Sequence, residues 1–327
     1  MRAVLCEAFG PPESLVVRTV DDPSPGPAEV VIDVDACAVS FPDVLMIQGL
    51  YQFKPDFPFS PGGDAAGTVA AVGADVTGIA VGDRVVASAG WGAMAEKFKV
   101  PATSVIPIPD GVATEEAAGF LYAYGTSYHA LADRAELKAG ETLLVLGAAG
   151  GVGLAAVELG VAMGATVIAA ASTEAKLAVC REHGAALTIN YELEDLKTRM
   201  RELTDGTGVD VVYDPVGGAY SEPALRSIAW NGRFLVVGFA SGEIPKLPLN
   251  LALLKGCAVV GVFWGAFTQR EPERFAAEVG ELIAMWKNGE LHQQVSATYP
   301  LERAGDAIRH LADRQAAGRV VVTIDRR

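Results

Sequence analysis

The sequence predicts an α/β protein: a doubly wound parallel sheet joined to a compact β-barrel or sandwich domain. Three observations predict it. From Glu141 onward, near-continuous apolar runs alternate with amphipathic helical patterns, as expected of parallel strands covered on both faces. One of these runs, Leu143–Leu146, passes straight into a small-residue loop ending at Gly153 and an apolar helical stretch from Leu154 to Met163. Before about residue 120 the texture differs, with short β-branched runs punctuated by Pro and Gly.

In chain order, the first strands are expected at Ala3–Glu7, Leu15–Val20, Val30–Ala38, Ala65–Val72 and Arg84–Ala87. Turn signals such as Pro11-Pro12, Pro23–Pro27 and Gly82-Asp83 separate them. Ser40–Gly49 has room for a short helix, and Tyr51–Pro61 is a Pro- and Phe-rich loop that either packs or walls a pocket. Six strands follow at Thr142–Leu146, Thr166–Ala171, Ala186–Ile189, Asp210–Tyr213, Arg233–Val237 and Ala258–Val262. Helical patterns lie between them at Val152–Met163, Glu174–His183, Leu193–Leu203, Ser221–Ala229 and Leu249–Lys255. The end of the chain reads as helices Pro272–Lys287 and Leu301–Gln315 and a strand Arg319–Ile324 that returns to the first domain. The expected domains are residues 1–122, 123–265 and a returning segment 266–327.

Bulk composition narrows the function. The 327 residues are enough for two cores, and half of them are hydrophobic. A net charge of −14 argues against nucleic acid or an anionic membrane surface as partner. No run approaches the roughly 18 apolar residues of a membrane span. The opening Met1–Glu7 has no long apolar core, so no signal peptide is expected and the cytoplasm is the expected compartment. Cys6, Cys37, Cys180 and Cys257 are far apart, which suggests neither a disulfide framework nor a zinc lobe.

Six parallel strands are the count of a full dinucleotide-binding sheet, whose ligand lies across the carboxyl ends of the strands. The loop Ala148-Ala149-Gly150-Gly151-Val152-Gly153 suits a pyrophosphate there. A helix start leaves amides unpaired at the positive end of its dipole, and small residues let the phosphates approach. The other loops on that edge include Ser172-Thr173, Asn190-Tyr191, Asp214–Gly218, Gly238–Gly242 and Phe263–Gly265. They make Gly238, Phe239 and Phe263 further candidates for cofactor contact. A site for NAD usually ends its second strand on an acid that binds the ribose 2′-hydroxyl. Here the strand ends Ala171-Ser172-Thr173, and the hydroxyls followed by Lys176 suit a 2′-phosphate, so NADPH is favoured. Lys176 also reads as a solvated helix lysine, and Glu174, two residues past Ser172, as a first-turn acid favoured by the helix dipole.

These residues resemble a known family. Gly140-Glu141, Leu144 and Ala148–Gly153 are similar to the fingerprint of zinc-independent quinone oxidoreductases of the medium-chain dehydrogenase/reductase superfamily. Pro61–Gly67, Val81–Val85 and Asp205–Asp210 extend the likeness along the chain. The resemblance implies a GroES-like β domain, a Rossmann domain, a homodimer joined through the last strand of the sheet, and hydride transfer from NADPH. Two residues depart from the pattern: Glu158 stands where the family usually has Gln, and Val161 where a basic residue is common. Metal-dependent relatives carry Cys at the position of Ser40 and His at that of Gly63, so no metal is expected. The resemblance places Tyr51 and Ser40 on the catalytic side, Tyr51 near the nicotinamide and Ser40 where many members have Asn. Leu45 stands where some carry Tyr, and Asp43 resembles a family-typical acid that also reads as a helix cap. Thr126 would contact the nicotinamide end, and Lys176, Tyr191 and Arg314 would gather around the 2′-phosphate.

Without a metal, hydride delivery suits acceptors that are already electrophilic. The expected reaction is reduction of quinones or similar small molecules, with Tyr51 or a water near it supplying the proton. Two alternatives stand beside it: an enone, 2-alkenal or enoyl-thioester reductase, and an NADPH-binding protein without turnover.

Overall fold

The computed structural model describes residues 1–325. The chain forms two compact units, Met1–Tyr122 with Gln293–Arg327, and Ala123–His292.

The first unit is built on Glu29–Val39, an 11-residue strand whose apolar positions are buried almost throughout. Its sheet runs in the order Val295–Pro300, Arg319–Thr323, Glu29–Val39, Asp64–Val72, Arg84–Ser88, Val105–Pro107, and Lys97–Pro101 also pairs with Glu29–Val39. The final strand Arg319–Thr323 pairs antiparallel with residues 36–39, which carries the chain's end back into this unit. Ile32, Val69, Phe98, Val320 and Ile308 lie in its core. Arg2–Leu5 and Val16–Thr19 make a separate antiparallel ribbon. Three strands escape the sequence pattern: Lys97–Pro101, Val105–Pro107 and Val295–Pro300. Each is six residues or shorter and ends in proline, so alternation has too little length to register.

The second unit is an all-parallel six-stranded sheet in the order Leu187–Asn190, Thr166–Ala171, Thr142–Leu146, Val209–Asp214, Ile228–Val236, Ala258–Gly261. The order turns between Thr142–Leu146 and Val209–Asp214, the switch point at which such sheets open a crevice. The expected strands are all present, with ends differing by up to five residues, the largest shift being at Ile228–Val236. Thr173 and Asp195 start helices Glu174–Glu182 and Leu196–Leu203 by accepting the amides of Lys176 and Thr198. The return to the first unit begins at Gln293 rather than at 266. Helices Trp264–Arg270 and Pro272–Lys287 stay with the second unit because Phe267 stacks on His129 at 3.9 Å and Leu282 is buried.

Two further features belong to this unit. Glu158, buried on the helix Gly151–Ala162, accepts hydrogen bonds from Tyr124 Oη (2.5 Å), His183 Nδ1 (2.6 Å) and the His292 amide (3.1 Å). The edge strand Ala258–Gly261 is largely exposed, and Trp230, Leu253 and Leu254 are exposed apolar side chains of the same unit, Trp230 in the neighbouring strand. No helix among the described residues is long and apolar enough to cross a membrane.

Candidate functional site

Each unit carries one set of candidate residues. In the second unit the buried strand Thr142–Leu146 ends at Gly147, whose φ of 58° is a left-handed conformation that glycine adopts without strain. The helix Gly151–Ala162 then starts at Gly150 with no side-chain cap, so its first amides are left for a ligand. A Cβ on Gly153 would lie 2.3 Å from the Gly147 carbonyl oxygen, so only glycine lets this turn close. Ala149 is buried beside it. The Val152 carbonyl accepts from Ser127 Oγ at 2.9 Å, and Tyr213 Oη in turn bonds Ser127 Oγ at 2.9 Å, which ties the loop to the helix Phe120–Tyr128. One residue before Ser127, the Thr126 hydroxyl is buried and has no hydrogen-bond partner. A bare helix start, a glycine turn and an orphaned buried hydroxyl fit a dinucleotide with its polar groups at both ends.

The residues expected around the 2′-phosphate are distributed less simply. Ser172 and Lys176 are half-buried, just beyond the strand Thr166–Ala171. The second hydroxyl of the pair, Thr173, is committed to capping, since its Oγ accepts the Lys176 amide at 3.3 Å. Glu174 pairs with Arg181, in keeping with a helix-surface acid rather than a ribose ligand. Tyr191 packs against Tyr220 with ring centroids 4.3 Å apart. Arg314 belongs to the first unit, exposed, with a left-handed backbone just beyond the helix Ala304–Ala312. Gly238 follows the strand Ile228–Val236, and Phe239 packs over Gly217, where a Cβ would come within 2.9 Å of its ring. Phe263 is half exposed at the start of Trp264–Arg270.

Asp214 is a residue that sequence reasoning passed over. Buried at the end of Val209–Asp214, it accepts the amides of Val216 (2.9 Å) and Gly217 (2.8 Å) and the Ser221 hydroxyl (2.6 Å). Burial pushes its pKa up against those three donors. It shapes the loop Asp214-Pro-Val-Gly-Gly on the same edge as the phosphate turn. Its only sequence signal was an acid at a strand end before Pro and Gly.

In the first unit, Ser40 ends the strand Glu29–Val39 and begins the six-residue helix Phe41–Met46. Asp43 is a cap: Oδ2 accepts the Ser40 amide and Oδ1 the Gly62 amide, both at 2.8 Å. Burial nevertheless raises its pKa to about 6. The Ser40 hydroxyl accepts Arg319 Nη1 at 3.2 Å, and Nη2 of the same buried guanidinium donates to Gly119 O at 2.9 Å. Asp64 accepts the Tyr122 amide on Oδ2 at 2.7 Å, its Oδ1 makes no hydrogen bond, and burial raises its pKa to about 7. A Cβ on Gly63 would lie 2.8 Å from the Ala89 carbonyl, so a larger side chain there needs a different loop path. Leu45 is half-buried on the Phe41–Met46 helix, and Tyr51 is half-buried against the core, edge-on to Phe53 at 5.9 Å.

Among the described residues, His129, Asp133 and Glu278 form one group with metal-ligand spacing. Its members are already engaged with one another and a neighbour: His129 Nδ1 lies 3.1 Å from Asp133 and 3.4 Å from Glu278, and Arg274 bonds Asp133. A stacked Phe267 covers the imidazole.

Residues 26–110 match the family model of the alcohol dehydrogenase GroES-like domain, and residues 151–283 that of the zinc-binding dehydrogenases. A quinone oxidoreductase-like protein 2 homolog from Nematostella vectensis is 39% identical over 98% of this chain and 88% of its own length. A mycobacterial protein whose structure was solved with NADPH superposes with a TM-score of 0.92 at 33% identity, over 99% of this chain and all of that one. The Escherichia coli quinone oxidoreductase, also solved with NADPH, gives a TM-score of 0.91 at 29% identity, again over 99% of this chain and all of that one.

Proposed function

This chain belongs to the quinone oxidoreductase-like family of the medium-chain dehydrogenase/reductase superfamily, and from that premise we propose that it reduces quinones and similar electrophilic small molecules with NADPH and without a metal. The observation that carries the reading is the acid-free strand tip beside the glycine turn. Ser172 and Lys176 follow Thr166–Ala171, and Glu174, the acid nearest to them in sequence, is held by Arg181. Both phosphate groups of one ligand are thereby served, the central pyrophosphate by Gly150–Gly153 and the 2′-phosphate by Ser172 and Lys176. Tyr191, Arg314, Gly238, Phe239 and Phe263 complete the proposed cofactor contacts, and the orphaned Thr126 hydroxyl takes the nicotinamide end.

NADPH, when bound, supplies the hydride. The protein's residues orient it, and Tyr51 polarises the acceptor oxygen and gives it a proton. Ser40 serves indirectly, by holding Arg319. The donors present do not suit zinc. Where metal-dependent relatives have a thiolate, this chain puts a hydroxyl facing a guanidinium, and a positive charge there opposes a cation. The enzyme acts in the cytoplasm as a homodimer joined along Ala258–Gly261, whose open edge lies beside the exposed Trp230.

An engaged Ser40 and an apolar Leu45 leave few polar groups for a quinone oxygen, which favours enones and 2-alkenals as the second substrate class. Side-by-side kcat/KM for a 1,4-quinone and a 2-alkenal, each with NADPH and NADH, tests the reading. NADPH-dependent turnover led by the quinone is expected. Turnover led by the alkenal moves the assignment to the enone class, and tight NADPH binding with no oxidation across the panel makes the chain a binding protein.

A further inference from the structure

The Ser127 hydroxyl has one proton, and the Val152 carbonyl 2.9 Å away can only accept it. With that proton spent, the Ser127 oxygen can only accept from Tyr213 Oη, also at 2.9 Å. The direction is therefore fixed: Tyr213 donates to Ser127, and Ser127 donates to Val152. Ser127 and Tyr213 are fully buried, which shields both bonds from bulk water.

Three elements meet in these two bonds. Tyr213 stands near the end of Val209–Asp214, Ser127 in Phe120–Tyr128, and Val152 in the first turn of Gly151–Ala162. The two helices carry the groups proposed for the two parts of the cofactor. The uncapped start at Gly150 leaves amides for the pyrophosphate. Thr126, beside Ser127, has a buried hydroxyl without a hydrogen bond, which is costly unless a ligand completes it. Successive helix residues are turned by about 100°, so Ser127 grips the phosphate helix while Thr126 faces elsewhere. The same two helices are also joined by Tyr124 and Glu158, but that carboxylate has His183 and the His292 amide as further donors.

We propose that Ser127 and Tyr213 are positioning residues: through Val152 they set Thr126 against the phosphate turn, and with it the place of the nicotinamide end. The inference rests on the NADPH reading and on the role proposed for Thr126. Both residues act through their neighbours rather than on the reacting atoms. The step they serve is balanced: one hydride with its electron pair goes from NADPH to the acceptor, one proton joins the acceptor oxygen, and NADP⁺ remains. Hydride transfer depends steeply on donor–acceptor geometry, whereas affinity comes chiefly from the phosphate contacts. Losing the relay therefore slows transfer more than it weakens binding.

The test compares Ser127→Ala, Tyr213→Phe, the double variant and Tyr124→Phe. Each is titrated with NADPH by fluorescence, melted thermally, and followed through single turnovers with a 1,4-quinone and a 2-alkenal. The turnovers use NADPH and NADPH deuterated at the transferred position. Ser127→Ala is expected to slow transfer about ten-fold and to move Kd for NADPH less than about two-fold. Tyr213→Phe slows it about three-fold, because Ser127 keeps its bond to Val152 but is held less firmly. The double variant matches Ser127→Ala, and the steady-state isotope effect on kcat rises in all three as transfer becomes the slow step. Tyr124→Phe melts lower with its transfer rate and isotope effect unchanged. Ser127→Ala at the wild-type rate, or with affinity lost in step with the rate, overturns the positioning role. An equal slowing in Tyr124→Phe overturns it too, since any weakened helix contact would then suffice. A double variant worse than Ser127→Ala takes Tyr213 out of the relay. A wild type that binds NADPH and reduces neither acceptor ends the parent reading, and the relay's part in hydride transfer with it.

Discussion

Asp64 keeps one carboxylate oxygen on the Tyr122 amide and leaves the other without a partner, and its pKa rises from 3.8 to about 7. The folded state therefore binds the extra proton between roughly pH 4 and 7, and stability falls as pH rises through that window. The sign is opposite to that of a salt-bridged aspartate. Asp64→Asn is expected to melt above the wild type at pH 8, with the gap closing toward pH 4, in thermal unfolding followed across pH; a gap independent of pH would show that ionisation is not its cause. Lys176 carries a different expectation. Lys176→Ala should raise KM for NADPH about ten-fold and leave NADH almost untouched, since one charge-assisted contact to phosphate is lost. Equal effects on both coenzymes would return Lys176 to the status of a surface lysine. At this scale the sequence spoke unevenly. Ser172 and Lys176 follow a strand tip and are legible from spacing, whereas the Ser40–Arg319 contact joins positions 279 apart and nothing in the pattern pairs them.

Elements were more legible than residues, because periodicity sums over many positions. The inner parallel strands Thr142–Leu146, Thr166–Ala171 and Val209–Asp214 show as apolar runs since they are buried almost throughout, as are the apolar positions of Glu29–Val39. Lys97–Pro101 alternates correctly but is only five residues long and carries two lysines, so it reads as loop. The phosphate turn is the element on which most depends. Gly153→Ala puts a methyl group 2.3 Å from the Gly147 oxygen, and the turn has to open to admit it. Overpacking of this kind costs about 1–3 kcal/mol, and a displaced helix start weakens NADPH binding as well. Calorimetric unfolding and a fluorescence titration with NADPH should both register the change; unchanged affinity would mean the pyrophosphate lies elsewhere.

For the molecule as a whole, the edge of the second unit is an open apolar surface. Val259, Leu253, Leu254 and Trp230 are exposed there, more apolar side chain than an isolated sheet edge usually shows. On the proposed dimer, Val259→Asp is expected to shift the protein to monomer in sedimentation velocity without lowering its helix and strand content; an unchanged dimer would move the interface to another face, and a monomeric wild type would remove the dimer. The second unit takes in Pro272–Lys287, which reads as an independent helix until its partners there are known. The buried Glu158 has a consequence of another kind. Its carboxylate receives Tyr124, the second residue of the second unit, and the amide of His292, that unit's last residue. The inserted stretch thus begins and ends at a single point in space, like a cassette whose two seams have been sewn together. A segment with joined ends can be excised and closed by a short linker, or exchanged for another cassette of the same gauge, without stretching the host chain on either side.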